Sequence, residues 1–191
     1  MGKRPKVFDQ ERAYAPGAGG MNDDEVTDFL GSPDSCWLIK LAVLKEDGWP
    51  YVVPLWYQWD GSALFVVGRK KSAWVQDVIR DPRCYICIEE KETPPVGGNR
   101  KVLGRCHGEV VDGPRTAEGS LWLAVANEMA TRYLGPNGVE QLGPSHSWER
   151  YLVKLTPVGR LTTWQGVDWA PRYFEPGQRP DLEQKAVEEQ S

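Results

Sequence analysis

The clearest chemistry in this sequence lies in a short basic cluster that follows a β-prone run. The cluster, which we call the basic turn, consists of Gly68, Arg69, Lys70, Lys71 and Ser72, and Val67 precedes it. A glycine lets the backbone approach a ligand closely, and cations neutralise a phosphate. The serine could also cap a following helix, whose N-terminal dipole attracts an anion and otherwise opposes lysine. The basic turn therefore predicts a phosphate-binding site, with a solvated helix start that carries ordinary surface cations as the alternative.

A C-x-x-C motif is the second candidate, because such a pair can form a redox dithiol or bind a metal. Cys84 and Cys87 fall in a β-prone run, and side chains three positions apart on a strand point to opposite faces. This geometry favours a structural role for both thiols. With only His107 and His146 as histidines, no metal site is predicted. His107 could face the substrate side of a pocket or be a hydrogen-bonded core residue, so no catalytic residue is assigned.

Length and composition favour a single globular domain. The chain has 191 residues and a formal net charge of -4, which gives no general attraction to nucleic acid. No apolar stretch approaches the roughly 20 residues of a membrane span, and no apolar segment follows the basic start. We therefore expect a cytoplasmic protein with reduced cysteines and with neither a nucleic-acid nor a membrane partner. Nine tryptophans are many for this length and suit stacking on planar ligands or filling of subunit interfaces.

The first part of the chain predicts an arm followed by a capped helix. Residues 1–20 contain glycine and proline without a hydrophobic period, so we expect a flexible arm. Asn22 and Glu25 have the spacing of a capping box ahead of a helical apolar pattern. A short helix is therefore predicted, ending near Gly31 and Pro33.

The middle of the chain predicts an antiparallel meander. Residues 36–68 contain three β-prone runs, and Asp47-Gly48 and Asp60-Gly61 between them are hairpin signals. A helical pattern follows until Asp81-Pro82 stops it. Two more strands are predicted at residues 84–90 and 101–111.

The longest helix is predicted after these strands, with Pro114 in its first turn and its end near Gly135. Residues 150–164 predict a strand, a turn at Pro157 and a short edge strand. The domain is thus expected to span residues 21–172, with a polar tail at residues 173–191. The fold class is mainly β, a small barrel of six or so antiparallel strands with two to four helices.

The order of these elements resembles the pyridoxamine 5'-phosphate oxidase-like superfamily of FMN-binding split β-barrels, over roughly residues 22–170. The resemblance lies in four segments. The turn Asp47-Gly48-Trp49-Pro50 leads into the run Tyr51 to Tyr57, which contains Pro54, and Trp59-Asp60-Gly61 precedes the strand Leu64 to Val67. Arg80-Asp81-Pro82-Arg83 closes a helix, and residues 104–111 read G-R-C-H-G-E-V-V.

This resemblance implies a homodimer that binds FMN and a small-molecule substrate in the subunit interface. By position, the residues that would line the isoalloxazine are Val53, Pro54, Leu55 and Trp56. The residues that would hold the ribityl chain and the phosphate are Val67, Gly68, Arg69, Lys70, Lys71 and Ser72. Trp164, Gln165 and Trp169 could reach over the partner's cofactor, with edge-strand packing as the alternative. Together these features suggest a flavin-dependent oxidoreductase, in which the cofactor carries the electrons and no acid–base residue need be obvious.

The chain departs from pyridoxamine 5'-phosphate oxidase itself at two places. Ala73 and Trp74 follow Ser72 where that enzyme has the Arg and Lys of its phosphate clamp, and no histidine follows Arg172 to handle a vitamin substrate. Oxidation of pyridoxamine phosphate is therefore not predicted. The alternatives that stay open are an F420-dependent reductase on the same fold, a non-enzymatic flavin- or haem-binding protein, and a cofactor-free dimer.

Overall fold

The structure, a computed structural model, describes residues 21–33, 36–90 and 100–164, with the side chain of Trp164 excepted. The predicted arm at residues 1–20, the tail at 173–191, and Gln165 and Trp169 lie outside these residues.

Four α-helices and eight strands make up the described part of the chain. The helices are α1 (Asp23–Gly31), α2 (Ala73–Arg80), α3 (Trp122–Leu134) and α4 (Gly138–Leu142), and a 3-10 turn covers Gly143–Ser145. The strands are β1 (Ile39–Leu44), β2 (Pro50–Leu55), β3 (Gln58–Trp59), β4 (Leu64–Arg69), β5 (Arg83–Glu89), β6 (Lys101–Arg115), β7 (Arg150–Pro157) and β8 (Thr162–Trp164).

The strands form one antiparallel sheet that curls into a half-barrel. Its order is β2-β1-β5-β6-β7-β4-β3, and β8 pairs with the first residues of β6. β2 and β3 stand at opposite ends of this order, yet only Trp56 and Tyr57 separate them in the chain. The two ends of the sheet must therefore lie close together, which confirms the predicted mainly β split-barrel architecture.

The expected meander is wrong in its middle strand. Residues 51–57 do not form one strand, because the chain bends at Trp56 and Tyr57 and passes from β2, paired with β1, to β3, paired with β4. Two side chains of α3 hold the bend. The Tyr133 ring stacks on the Trp56 ring, with 5.1 Å between the ring centroids. Arg132 donates a hydrogen bond of 3.2 Å to the hydroxyl of Tyr57, whose side chain is fully buried.

The barrel interior contains the main hydrophobic core. Alternate residues of the strands point inward and are fully buried, among them Leu41, Leu64, Ile86, Val153 and Leu155. The same cluster includes Phe29 and Leu30 of α1 and Trp74, Val75 and Val78 of α2. Both helices therefore complete the core of the barrel, and burial of these side chains is the largest stabilising contribution to the fold.

Helix α1 begins and ends where its sequence signals predict. The Asn22 side chain accepts a hydrogen bond from the backbone of Glu25 at 2.9 Å, and the Glu25 carboxylate accepts one from the Asn22 backbone at 2.8 Å. This reciprocal pair is the predicted capping box, and the helix ends at Gly31.

Helix α3 begins later than predicted. Pro114 lies within β6, which stays paired with β7 as far as the Arg115–Arg150 pair. The helix begins only at Trp122, and Asp112, at an irregularity of β6, accepts hydrogen bonds from the backbone of Leu121 at 2.7 Å and of Trp122 at 3.1 Å. The Asp112 carboxylate on β6 thus accepts hydrogen bonds from the free backbone N–H groups at the start of α3, and the helix starts there without a proline in its first turn.

Helix α3 packs on the outer face of β4 and β7 and forms a second, smaller core. Trp122 and Ala126 of the helix lie against Leu152 of β7, with Phe65 and Val67 of β4 beside them. The described helices include none long and apolar enough to cross a membrane. The outer face of β4 and β7 next to α3 is also where the basic turn begins.

Candidate functional site

Three arginines lie in one row across neighbouring strands. β4 and β7 pair so that Arg69 is opposite Arg150, and β6 and β7 pair so that Arg115 is opposite Arg150. Arg115 has a carboxylate partner, because its Nε lies 3.3 Å from Asp112. No carboxylate of the described residues lies within ion-pair distance of Arg69 or Arg150. Like charges directly opposite each other destabilise a sheet, so this pair needs compensation from elsewhere.

Aromatic rings hold the two uncompensated arginines. The Arg69 guanidinium carbon lies 5.0 Å from the centre of the Trp148 ring, and that of Arg150 lies 5.6 Å from the same ring. Arg150 also lies 5.5 Å from the Trp122 ring. Cation–π contacts stabilise a guanidinium without neutralising its charge, so the positive potential at this face persists.

Arg150 is the more buried of the two arginines and is incompletely satisfied. Its Nε atom is buried and has no hydrogen-bond partner among the described residues. Burial lowers the pKa of Arg150, and the nearby charge of Arg69 lowers it further. An anion bound here would relieve both the repulsion and the unmet hydrogen bond.

The lysines of the basic turn differ in their surroundings. Lys70 is paired with Glu149 at 2.8 Å, and this hydrogen bond raises the pKa of Lys70. Lys71 is exposed and has no ion pair within the part of the chain that the structure covers. Ser72 occupies the N-cap position of α2, but its side chain makes no capping hydrogen bond, and the first turn of α2 has no acidic residue. Lys71 and Ser72 are therefore available to a ligand.

Two adjacent cavities open at this place. The larger, about 410 Å³, is lined by Arg69, Lys70, Lys71, Trp148 and Glu149. The smaller, about 130 Å³, is lined by Trp56, Val67, Ala126, Met129, Leu142 and Arg150. Arg150 of the smaller cavity lies 5.6 Å from the Trp148 ring of the larger one, so the two cavities are neighbours. A cationic cavity thus lies next to an apolar one, an arrangement that suits a ligand with an anionic end and a ring.

The structure divides the residues that were predicted to line a ring. Trp56 lies in the smaller cavity, close to Val67 of the second predicted group. Val53 and Leu55 pack against the barrel core. Pro54 is exposed and lines a different groove, with Cys36 and Trp37 among its neighbours. Side chains of one predicted group therefore face three directions.

Gly68 has a packing role that the sequence did not indicate. A Cβ atom built there would lie 2.4 Å from Val75 and 2.6 Å from Trp74, both on α2. The absent side chain thus allows the helix to approach β4 and does not face the cavities. The predicted approach of the Gly68 backbone to a ligand stays a prediction.

The remaining candidates lie away from the two cavities or outside the described side chains. His107 is exposed on β6, opposite Arg83 of β5 and Thr156 of β7, and lines neither cavity. Trp164 is on β8 opposite Lys101. Cys84 points into the barrel and Cys87 points outward, so the expectation that they face opposite ways is confirmed.

Sequence reasoning missed Trp148, Arg150 and Tyr133. Trp148 and Arg150 belong to the site because β7 pairs with β4, and Tyr133 supports it by stacking on Trp56, which lines the smaller cavity. Each of these contacts joins residues far apart in the chain. The sequence offered one signal for Arg150: it is a basic residue beside an aromatic one, Tyr151, at the start of a strand.

Comparisons with known proteins identify the class of fold. The sequence matches no family model, and no curated protein matches it significantly. A conserved hypothetical protein from Mycobacterium tuberculosis superposes with a TM-score of 0.60 at 24% identity, covering 81% of this chain and 89% of that chain. An F420 reductase gives 0.53 at 21% identity, covering 70% and 93%. HutZ, a haem storage protein from Vibrio cholerae, gives 0.53 at 18% identity, covering 74% and 93%.

These structural likenesses confirm the predicted fold. The chain has a split β-barrel fold, as the sequence predicted.

Proposed function

We propose that this protein is an oxidoreductase that binds a flavin-type cofactor, with FMN as the leading candidate, between two copies of the chain. The observation that carries the proposal is the uncompensated pair Arg69 and Arg150 beside an apolar cavity that contains Trp56. A cofactor that joins a planar ring to a phosphate would satisfy both halves of this site. The same fold in proteins described as an F420 reductase and an FAD-binding protein supports it.

The residues fit the phosphate end of such a cofactor. Arg69 and Lys71 have no ion pair with a described carboxylate, since Glu149 in the same cavity is paired with Lys70, and the Ser72 side chain makes no capping hydrogen bond. The first turn of α2 has no acidic residue to repel an anion, and the dipole of a helix favours an anion at its N-terminus. These groups would bind the phosphate and fix the position of the rest of the molecule.

One chain does not enclose the ring end. The apolar cavity measures about 130 Å³, whereas pockets for molecules of this size usually measure about 300 Å³ or more. Trp148 and Leu121 nearby on the surface are 48% and 63% exposed. A second copy of the chain, packed over this face, would supply the missing wall and bury these apolar side chains. A homodimer with two cofactor sites is therefore part of the proposal.

The chemistry of electron or hydride transfer would come from the cofactor when it is bound. The chain's own residues would bind, orient and shield. Arg69 and Lys71 anchor the anionic end, Trp56 and Val67 contact the apolar part, and α3 excludes water from one side. No acid–base residue is assigned, and the substrate is a small molecule that reaches the exposed side of the ring.

An F420-dependent reductase is the second candidate. It is favoured by the number of cations in the site, because F420 carries several negative groups on its tail whereas FMN carries one phosphate. An F420 reductase also has this fold. The haem storage neighbour makes haem a third ligand to test, with His107 and His146 the two histidines of the chain.

Difference absorption spectroscopy with the purified full-length protein tests the proposal. FMN, F420 and haem are added separately, and unbound ligand is removed by gel filtration. Retained FMN that is reduced anaerobically by a nicotinamide cofactor supports the leading proposal, and retained F420 alone selects the second candidate. Retained haem, a retained flavin that no donor reduces, or a colourless protein would each overturn the assignment as an oxidoreductase.

A further inference from the structure

The Arg69–Arg150 pair is more than a single terminal phosphate requires. The proposed function already assigns the terminal phosphate to the basic turn, with Lys71, Ser72 and the N-terminus of α2, whereas Arg150 lies on the neighbouring strand and lines the other cavity. Arg69 stands between the two, because it lines the larger cavity and faces Arg150 across the sheet. The cations are therefore spread over two adjoining positions.

We propose that Arg150, together with Arg69, which both positions share, forms a second anion-binding position, so that this site takes a second anionic group beside the terminal phosphate of the cofactor. This inference rests on the proposed cofactor site for its first anion. Its own evidence is the like-charged cross-strand pair, the buried Arg150 Nε without a partner, and the Trp148 ring that both guanidinium groups contact.

Other cations at this face have their charge compensated by carboxylates of the same chain. Arg115 is paired with Asp112, and Lys70 is paired with Glu149. Two of the cations at this face thus have carboxylate partners supplied by the chain, and Arg69 and Arg150 have none among the described residues. A guanidinium pair of this kind suits a carboxylate or phosphate group, each of which can accept two parallel hydrogen bonds.

The second anion could come from either of two sources. It could belong to the cofactor, as a further charged group on its tail, or it could be the carboxylate or phosphate of a separate substrate. In both cases the group would lie at the junction of the cationic and apolar cavities, where Arg150 is placed.

Isothermal titration of the cofactor-free protein with inorganic phosphate and with pyrophosphate tests the proposal. The wild type should bind pyrophosphate at least about tenfold more tightly than phosphate. Arg150→Gln should remove this advantage while its affinity for phosphate stays within about threefold of the wild type. The matched control is Arg105→Gln, an exposed arginine of β6 opposite Tyr85, which should leave both affinities unchanged.

Arg69→Gln serves as a second variant, because Arg69 is exposed and its replacement should not affect folding. It too should remove the pyrophosphate advantage, even if Arg150→Gln proves unstable in a thermal unfolding experiment. Equal binding of phosphate and pyrophosphate by the wild type, or variants of Arg69 and Arg150 that behave like the Arg105 control, would overturn the proposal.

Two further titrations identify the source of the second anion. Phosphate that binds to the FMN-loaded wild type and not to FMN-loaded Arg150→Gln supports a separate anionic substrate. A loss of about tenfold in F420 affinity in Arg150→Gln, with FMN affinity changed by less than about threefold, supports a charged cofactor tail.

Failure of this inference and failure of the proposed function have different signatures. A pyrophosphate advantage in a protein that retains neither FMN nor F420 would remove the proposed function and leave the two-anion site. Retained cofactor without the pyrophosphate advantage would overturn the two-anion site and leave the proposed function.

Discussion

Charge compensation distinguishes the residues of the candidate site from other charged residues of this protein. Lys40 is paired with Glu89, Arg83 with Asp81, and Arg100 with Glu90. Arg69 and Lys71 are also exposed basic side chains, but they have no carboxylate partner in the part of the chain described. A folded protein with uncompensated neighbouring cations gains stability when an anion binds to them.

Removal of the two unpaired cations of the basic turn should weaken cofactor binding. Arg69→Ala combined with Lys71→Ala deletes charge-assisted hydrogen bonds to the phosphate, so the dissociation constant for FMN should rise at least about tenfold. Fluorescence quenching during titration with FMN measures it. The matched control is Arg105→Ala with Lys45→Ala, two cations outside the site. An unchanged FMN affinity in the first double variant would rule out the basic turn as the phosphate site.

The sequence could indicate the basic turn as a candidate site because its residues are contiguous and follow a strand. It could not identify Arg150, because that residue joins the site through the register between β4 and β7. It could not indicate the packing role of Gly68, since the contact of this residue with Trp74 and Val75 depends on how α2 packs against the barrel.

At the scale of elements, the start of α3 depends on one carboxylate. Asp112→Ala removes the acceptor for the backbone N–H groups of Leu121 and Trp122 and the partner of Arg115. Loss of a helix cap costs about 1 to 2 kcal/mol, so the free energy of unfolding in urea should fall by about that amount.

Asp112→Asn provides the control for this cap, because it keeps an oxygen acceptor in the same place. It should lose less stability than the alanine variant. Equal losses in the two variants would show that the negative charge, and not the hydrogen-bond acceptor, stabilises the helix.

The packing of α2 against β4 should not tolerate a side chain at position 68. In Gly68→Ala the new methyl group would overlap Val75 and Trp74, and overpacking of a core costs about 1 to 3 kcal/mol. Gly143→Ala is the matched control, because no atom lies within 4 Å of a Cβ there. Urea unfolding should show a large loss for the first variant and little for the second. Wild-type stability in Gly68→Ala would contradict this packing.

Local signals predicted those elements whose boundaries depend on adjacent residues. The capping box of Asn22 and Glu25 and the two Asp-Gly hairpins are of this kind. The bend at Trp56 and Tyr57 was missed because it is stabilised from α3, by Arg132 and Tyr133. Pro114 was misassigned because the pairing of β6 with β7, and not the local preference of proline for helix starts, decides its conformation.

At the scale of the whole molecule, buried ionisable groups should make the fold sensitive to alkali. Burial raises the pKa of Cys84 to about 11 and that of Cys106 to about 12, from an ordinary value of 9.0. These thiols stay protonated in the folded protein and ionise earlier in the unfolded chain. Their contribution to stability is therefore complete below pH 9.0 and is lost as the pH rises toward the folded values.

The free energy of unfolding, measured with urea, should accordingly decline between about pH 9 and about pH 11. Burial also raises the pKa of Tyr57 and of Tyr133, which adds to the same decline. The variant Cys84→Ala with Cys106→Ala should show a shallower decline. If the variant and the wild type show the same pH dependence, ionisation of the two thiols does not cause the loss of stability.

In the function proposed here, two copies of this chain hold a flavin-type cofactor at the face that contains Arg69 and Arg150. Light scattering combined with visible absorbance, on protein loaded with FMN and separated from free FMN by gel filtration, tests it most directly. We expect a particle with the mass of two chains and one flavin for each chain. A particle with the mass of one chain that retains neither FMN nor, in a parallel experiment, F420 would contradict it.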